Sequence, residues 1–181
     1  MKPWQHFKTI TRHRLIVMAG CFRVGLYWQG LTHDLSKYSL TEFWVGAKYY
    51  QGVRSPNAAE REDKGYSEAW MHHKGRNRHH YEYWTDINKE TRQYESLPMP
   101  RRYLVEMVMD RRAACMTYQG ADYTDGAALA YFRKSMERER MHPQTRQELD
   151  FLLEMLQEKG EKETFRYMKE QVLRGAPFPW E

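Results

Sequence analysis

Apolar residues recur at steps of three and four along nearly the whole chain, and that period commits it to helices packed on one another. From Trp4 to about Phe22, His6, Ile10, His13 and Val17 fall at steps of four, three and four, on one face. Ser39-Leu40-Thr41-Glu42 has the form of a capping box, the serine accepting from the first turn while the glutamate reaches back. It opens a predicted helix to about Gln51, stopped by Gly52. Residues 52–66 read as a loop, after which Ser67 caps a helix carrying Trp70, His72 and His73. Gly75-Arg76-Asn77 interrupts that helix just before His79-His80-Tyr81-Glu82-Tyr83-Trp84. Pro98 and Pro100 begin another helix to about Tyr118, with Tyr103, Met107, Asp110 and Ala114 on one face. Three further helices are predicted over about 126–140, 144–159 and 161–174, the last two separated by Gly160. The tail from Ala176 to Glu181 holds two prolines and packs its aromatics on the body. No segment alternates with period two over any length. The expected fold is all-α: one helical domain over residues 1–181, its core helices within about 4–120 and its additional helices within about 126–174.

Composition narrows the class. With 181 residues the chain can bury a real core, and 14% aromatic residues exclude a disordered chain. Two cysteines, Cys21 and Cys115, exclude a disulfide scaffold and a cysteine-rich zinc ribbon. The longest apolar run, Leu15 to Phe22, is far short of a membrane span, and Met-Lys-Pro-Trp-Gln-His has no signal-peptide character. A cytoplasmic protein without a membrane partner is expected. The net charge of +5 favours anionic partners, a phosphate-bearing small molecule or nucleic acid, and does not choose among them. Lys74, Arg76 and Arg78 among Tyr81, Tyr83 and Trp84 also suit stacking on single-stranded nucleic acid.

Two residues break the apolar pattern where core is expected: His13 beside Ile10 and Val17, and Asp110 beside Met107 and Ala114. A carboxylate among apolar neighbours is costly unless it is paired or bound to a cation. The chain has eight histidines, four of them (His72, His73, His79 and His80) within nine residues, and an adjacent His33-Asp34 pair. Imidazole with carboxylate suits Fe, Mn, Co, Ni or Zn and requires no thiolate. Singly, each group has an ordinary reading: a hydrogen-bonded core histidine, a salt-bridged aspartate, a capped helix start, a solvated basic surface. Jointly, on four segments, they point to a metal site. His6 and His142 read as structural, the latter at a helix junction.

These residues resemble a known superfamily. The order His…His-Asp…His…His…Asp looks like that of the HD-domain metal-dependent phosphohydrolases, which are all-helical. Leu31-Thr32-His33-Asp34-Leu35-Ser36-Lys37 is similar to the central His-Asp-x-Gly-Lys signature, with Ser36 where glycine is common. His79-His80-Tyr81-Glu82-Tyr83-Trp84 resembles the His-His-Glu…Trp segment of the branch that cleaves cyclic dinucleotides, with Tyr81 inserted and without the Gly-Tyr-Pro element. Nearly the whole chain also looks like a family of small bacterial and phage-encoded proteins sharing the His-Asp-Leu-Ser-Lys and paired His-His segments.

The resemblance implies a helical bundle of HD-domain type and two divalent transition metals per chain. Their ligands would be His13, His33, Asp34, His73, His79, His80 and Asp110, with Asp34 bridging both and central to catalysis. Lys37 would be the signature lysine that contacts substrate phosphate. Arg76, Arg78, Arg111 and Arg112 flank the ligands in sequence, and the first three are the expected phosphate-binding arginines. Tyr38 and Glu42 are candidate partners that orient a ligand histidine. The reaction implied is hydrolysis of a nucleotide or other phosphate ester. Di-iron oxygen chemistry on the same ligands, or a non-catalytic metal-stapled protein that binds nucleic acid or a partner, are the competing expectations.

Overall fold

A computed structural model describes residues 1–135 and 140–180. The first helix, α1 (Pro3–Arg23), starts with proline in its first turn and buries His6, Ile10, His13, Val17, Gly20 and Cys21. It is followed by α2 (Tyr27–Thr32), a single 3-10 turn (Leu35–Tyr38) and α3 (Leu40–Lys48). Next come α4 (Pro56–Lys64), α5 (Glu68–Lys74) and a 3-10 turn (Tyr81–Tyr83). The long α6 (Arg101–Gln119), α7 (Ala127–Lys134) and α8 (Pro143–Glu170) follow. Helix α1 packs on α2, α3 and α6, while α8 lies against α6 and α7. One continuous core results, in which Val17 and Cys21 of α1 meet Leu104 and Val108 of α6, Phe132 of α7 and Leu149 and Leu152 of α8. The chain is thus a mostly helical single domain. Among the described residues no helix is long and apolar enough to cross a membrane.

Three expectations are corrected. Residues 56–64, read as loop, form α4, bounded by Pro56 in its first turn and by Gly65 at φ 81°. Only Ala59 and Glu60 of this helix are buried, so it carries no apolar stripe to announce itself. A short antiparallel hairpin joins β1 (Thr85–Ile87) to β2 (Tyr94–Ser96), with Thr85 opposite Ser96 and Ile87 opposite Tyr94. Three-residue strands are too short to show a period of two. Helix α3 ends at Lys48, before the predicted Gln51.

Gly160 breaks the C-terminal helix as read: at φ 73° and ψ 176° it bends α8 between two helical stretches, and the last residues, Val172–Arg174, tighten to 3-10 geometry. The helix predicted over 126–140 runs to Lys134, and residues 136–139 lie outside those described. Phe178 of the tail is buried and stacks on Trp180 at 5.0 Å between centroids, and Arg101 bonds the Ala176 carbonyl.

Candidate metal centre

The centre is assembled where α1, the α2–α3 connection, the end of α5 and α6 meet. Asp34 sits in the connection at φ 54° and ψ 23°, left-handed backbone that an aspartate tolerates at a cost. That conformation lets His33 and Asp34, adjacent in sequence, enter the same buried space. Arg14 of α1 holds the connection by donating from Nε to the His33 carbonyl at 2.7 Å and from Nη2 to the Leu31 carbonyl at 3.0 Å. Ser67 caps α5 by accepting from the Trp70 amide, and its own hydroxyl donates to the buried Glu60 at 2.6 Å. Beyond Gly75, the Asn77 side chain donates to the His73 carbonyl at 2.8 Å and to Ser36 Oγ at 2.9 Å. The turn so fixed returns the chain, and His79 and His80 converge on His73.

Asp34 is fully buried, and its two oxygens face different groups. Oδ1 lies 3.2 Å from His73 Nε2 and 3.4 Å from His79 Nε2, with His80 completing that group. Oδ2 lies 3.4 Å from His33 Nε2 and 3.6 Å from His13 Nε2, with Asp110 completing the second group. Asp110 Oδ1 is 2.9 Å from His13 Nε2 and 3.5 Å from His33 Nε2. All seven sequence-predicted ligands therefore meet in two clusters that share Asp34. The Nε2 atoms of His13, His33, His73, His79 and His80, with Asp34 Oδ1, are buried without a properly formed hydrogen bond. Buried polar atoms are rarely left so, and convergent imidazoles and carboxylates are the donors a transition metal takes. The residues fit a metal ion.

The outer nitrogens of His33, His73 and His79 meet carboxylates. Glu106 Oε1 accepts from His33 Nδ1 at 2.9 Å and faces His79 Nδ1 at 3.2 Å. Glu42 Oε2 accepts from His73 Nδ1 at 2.7 Å, and its Oε1 accepts from His72 at 2.6 Å. A carboxylate on Nδ1 fixes the tautomer that turns Nε2 toward a metal. His72 is thereby placed outside the clusters and His73 inside.

Glu42 does not complete the capping box: Ser39 Oγ accepts from its amide at 3.3 Å, but its carboxylate goes to the histidines. Tyr38, expected beside a ligand, bonds Thr11 on α1 at 2.9 Å instead. Ser36, in the place of the signature glycine, bonds His73 Nδ1 at 3.1 Å. Glu106 is not among the expected site residues, although it interrupts the run Leu104-Val105-Glu106-Met107-Val108-Met109.

Electrostatics follow from burying so many carboxylates together. Burial opposes ionisation of Asp34, yet His33, Lys37 and His73 hold its carboxyl well below the usual range. Burial likewise opposes ionisation of Asp110, and the nearby imidazoles of His13 and His33 reverse the effect. For His33 burial disfavours the charge, but Asp34, Asp110 and Glu106 push its pKa up to about 10. That rise expresses the pull of three buried carboxylates on positive charge. His80, by contrast, is pushed well down, by burial first and then by its imidazole neighbours His79 and His73.

A cavity of about 610 Å³ opens over the centre and is lined by His13, His73, His80 and Asp110. Lys37 and Arg111 line it too, with Lys37 Nζ 2.5 Å from Asp34 Oδ2. Arg54, from the segment read as loop, stands at the same cavity, its guanidinium held on Glu62. The structure does not bring Arg76 and Arg78 there. Arg76 is exposed and bonds the His72 carbonyl, while Arg78 lies over Tyr83 and donates to the Tyr103 hydroxyl. Arg112 turns to Glu161 on α8. His142 caps α8 by accepting from the Gln144 amide, as a structural residue should.

Fold and site together define a helical domain with buried His/Asp clusters able to hold a metal ion. Residues 2–155 match a family model described as "Family of unknown function (DUF5662)", and the chain belongs to that family. No curated protein and no solved structure matches it.

Proposed function

We propose that the chain is a cytoplasmic metal-dependent phosphohydrolase of HD-domain type, acting on a nucleotide or another phosphate ester through two divalent cations. The single observation that carries this reading is the division of the Asp34 carboxylate. One oxygen faces His73 and His79, the other His13 and His33, at the floor of a cavity that also presents Lys37 and Arg111. His73, His79, His80 and Asp34 would hold one cation, and His13, His33, Asp34 and Asp110 the other. Such a pair supplies ionised water near neutral pH and Lewis-acid polarisation of a phosphoryl oxygen.

The chain's own residues do the rest. Glu106 and Glu42 keep the rings of His33, His79 and His73 in the donor tautomer. Lys37 is a fixed cation rather than a base: burial disfavours its charge, but Asp34 and Asp110 raise its pKa above the ordinary lysine value. With Arg111 it would hold the substrate's phosphate oxygens as negative charge develops on them. The cavity falls within the roughly 300–1,000 Å³ range of small-molecule sites.

The test combines elemental analysis of untagged protein with a phosphoester panel. Wild type should carry two transition metals and hydrolyse a subset of the panel, and Asp34→Ala should lose both properties. Lys37→Gln should keep its metals while kcat falls about 10²-fold. Metal-loaded wild type inert across the panel would sink the reaction class, and iron with oxygen-dependent substrate loss would replace it by oxygenation.

A further inference from the structure

Among the described residues, His6 is the one buried histidine that the metal clusters do not use and whose side chain makes no hydrogen bond. It is 5% exposed, lines the same cavity as the metal groups, and leaves both Nδ1 and Nε2 buried without a partner. Phe43 and Tyr50 present rings at 5.4 and 6.0 Å between centroids, and the Tyr50 hydroxyl is engaged by Thr9. The fold also makes room for this imidazole: a Cβ on Gly46 of α3 would stand 2.3 Å from His6 Nε2. A glycine inside a helix lowers its stability, and so does an unsatisfied buried ring nitrogen. Packing alone would favour an apolar side chain here, so the costs need another reason.

We propose that His6 forms a recognition subsite in the cavity, its Nδ1 exchanging one hydrogen bond with an uncharged polar part of the substrate such as a sugar hydroxyl or an amide edge, while Nε2 packs against Gly46. The ring suits that role. Burial, with the charge of Lys37, lowers its pKa to about 4, so it is neutral, with one N–H donor and one acceptor. His6 lies seven residues before His13 on the same buried face of α1, which separates the subsite from the metal clusters by roughly 10 Å along the helix axis. A nucleoside monophosphate or a hexose phosphate spans that distance. The inference rests on the phosphohydrolase reading and adds the group that chooses among phosphate esters.

The experiment compares manganese-loaded wild type, His6→Leu and His6→Asn, measuring metal content, melting temperature and equilibrium binding of inorganic phosphate, ribonucleoside 5′-monophosphates and hexose phosphates. His6→Leu should keep its metals and bind inorganic phosphate within twofold of wild type. It should melt roughly 2–4 °C higher, the shift that one relieved polar group gives in a domain of this size. Its affinity for the best-bound organic phosphate should fall at least tenfold, and His6→Asn should restore part of it. Unchanged organic-phosphate affinity, or a lower melting temperature, would make His6 a structural residue and overturn the inference. So would an equal loss for inorganic phosphate. Wild type that binds inorganic phosphate but none of the organic esters would overturn the subsite alone. Wild type that binds no phosphate at all would remove the phosphohydrolase reading and the subsite with it.

Discussion

The two ligand groups that share Asp34 stand on different scaffolds. His13 and Asp110 belong to α1 and α6, long helices whose apolar faces are packed into one core, and their positions follow from that packing. His73 ends a seven-residue helix, and His79 and His80 follow a turn with no apolar run of its own. That second group is held by polar staples: Asn77 on the His73 carbonyl and on Ser36, Glu42 on His73, and the Trp84 indole donating to the Arg78 carbonyl at 2.7 Å. Their chemistry differs as well. One group offers two imidazoles and two carboxylates, the other three imidazoles and the shared carboxylate. Helix packing can thus place hard oxygen donors on regular faces, while a cluster of three imidazoles needs a turn to gather it.

The largest effect should come from removing one ligand on each side. If the groups are separate sites joined only through Asp34, Asp110→Ala and His79→Ala each leave one metal per chain. The metal retained differs: the three-imidazole group keeps the softer ion, zinc, nickel or cobalt, and the two-carboxylate group keeps manganese more readily. Elemental analysis after reconstitution from a manganese–zinc mixture reads this directly. Loss of both metals from either variant would mean a single cooperative centre, and the comparison would fail.

A smaller effect separates the two supporting carboxylates. Glu106 bonds one ring from each group, His33 and His79, whereas Glu42 bonds only His73 within the clusters. Glu106→Gln should therefore weaken both metals, and Glu42→Gln only the one beside His73. About 10–100-fold in dissociation constant is expected for each affected site. Stepwise metal titration followed by calorimetry distinguishes two weakened steps from one.

The sequence speaks differently about the two scaffolds. His13 and Asp110 are legible because a helical period makes a polar residue on an apolar face conspicuous. His33 and Asp34 are legible only through the His-Asp…Lys pattern, since no period marks a residue in left-handed backbone. Between His72 and His73 the sequence offers no choice: both end the same short helix, and only the position of Glu42 on α3 decides. Glu106 is a charge inside an apolar run, but Asp110 one turn later breaks the same helix and is the stronger metal-ligand signal. Helix α4 was hidden because it buries Ala59 and Glu60 rather than an apolar stripe, and Arg54 was hidden with the segment before it.

The smallest effect concerns the cations beside each group, where nearness in sequence and nearness in space part company. Arg76 and Arg78 flank the three-imidazole group along the chain, yet both are exposed and turned onto the His72 carbonyl and the Tyr103 hydroxyl. Arg111 follows Asp110 and lines the cavity. A guanidinium on a substrate phosphate makes charge-assisted bonds worth about 1.5–3 kcal/mol, so Arg111→Ala should raise KM by roughly 10–100-fold with metals retained. Arg76→Ala changes a surface side chain and should shift stability by no more than about 0.5 kcal/mol, with KM within about twofold of wild type. Arg78→Ala should behave alike, losing only its contacts with Tyr83 and Tyr103. Steady-state kinetics on the best phosphoester, with metal content measured beside it, decides the matter. A KM raised by Arg76→Ala as much as by Arg111→Ala would mean that substrate reaches the centre from the turn side, across the polar staples. The three-imidazole group would then be the entrance to the site rather than its closed wall.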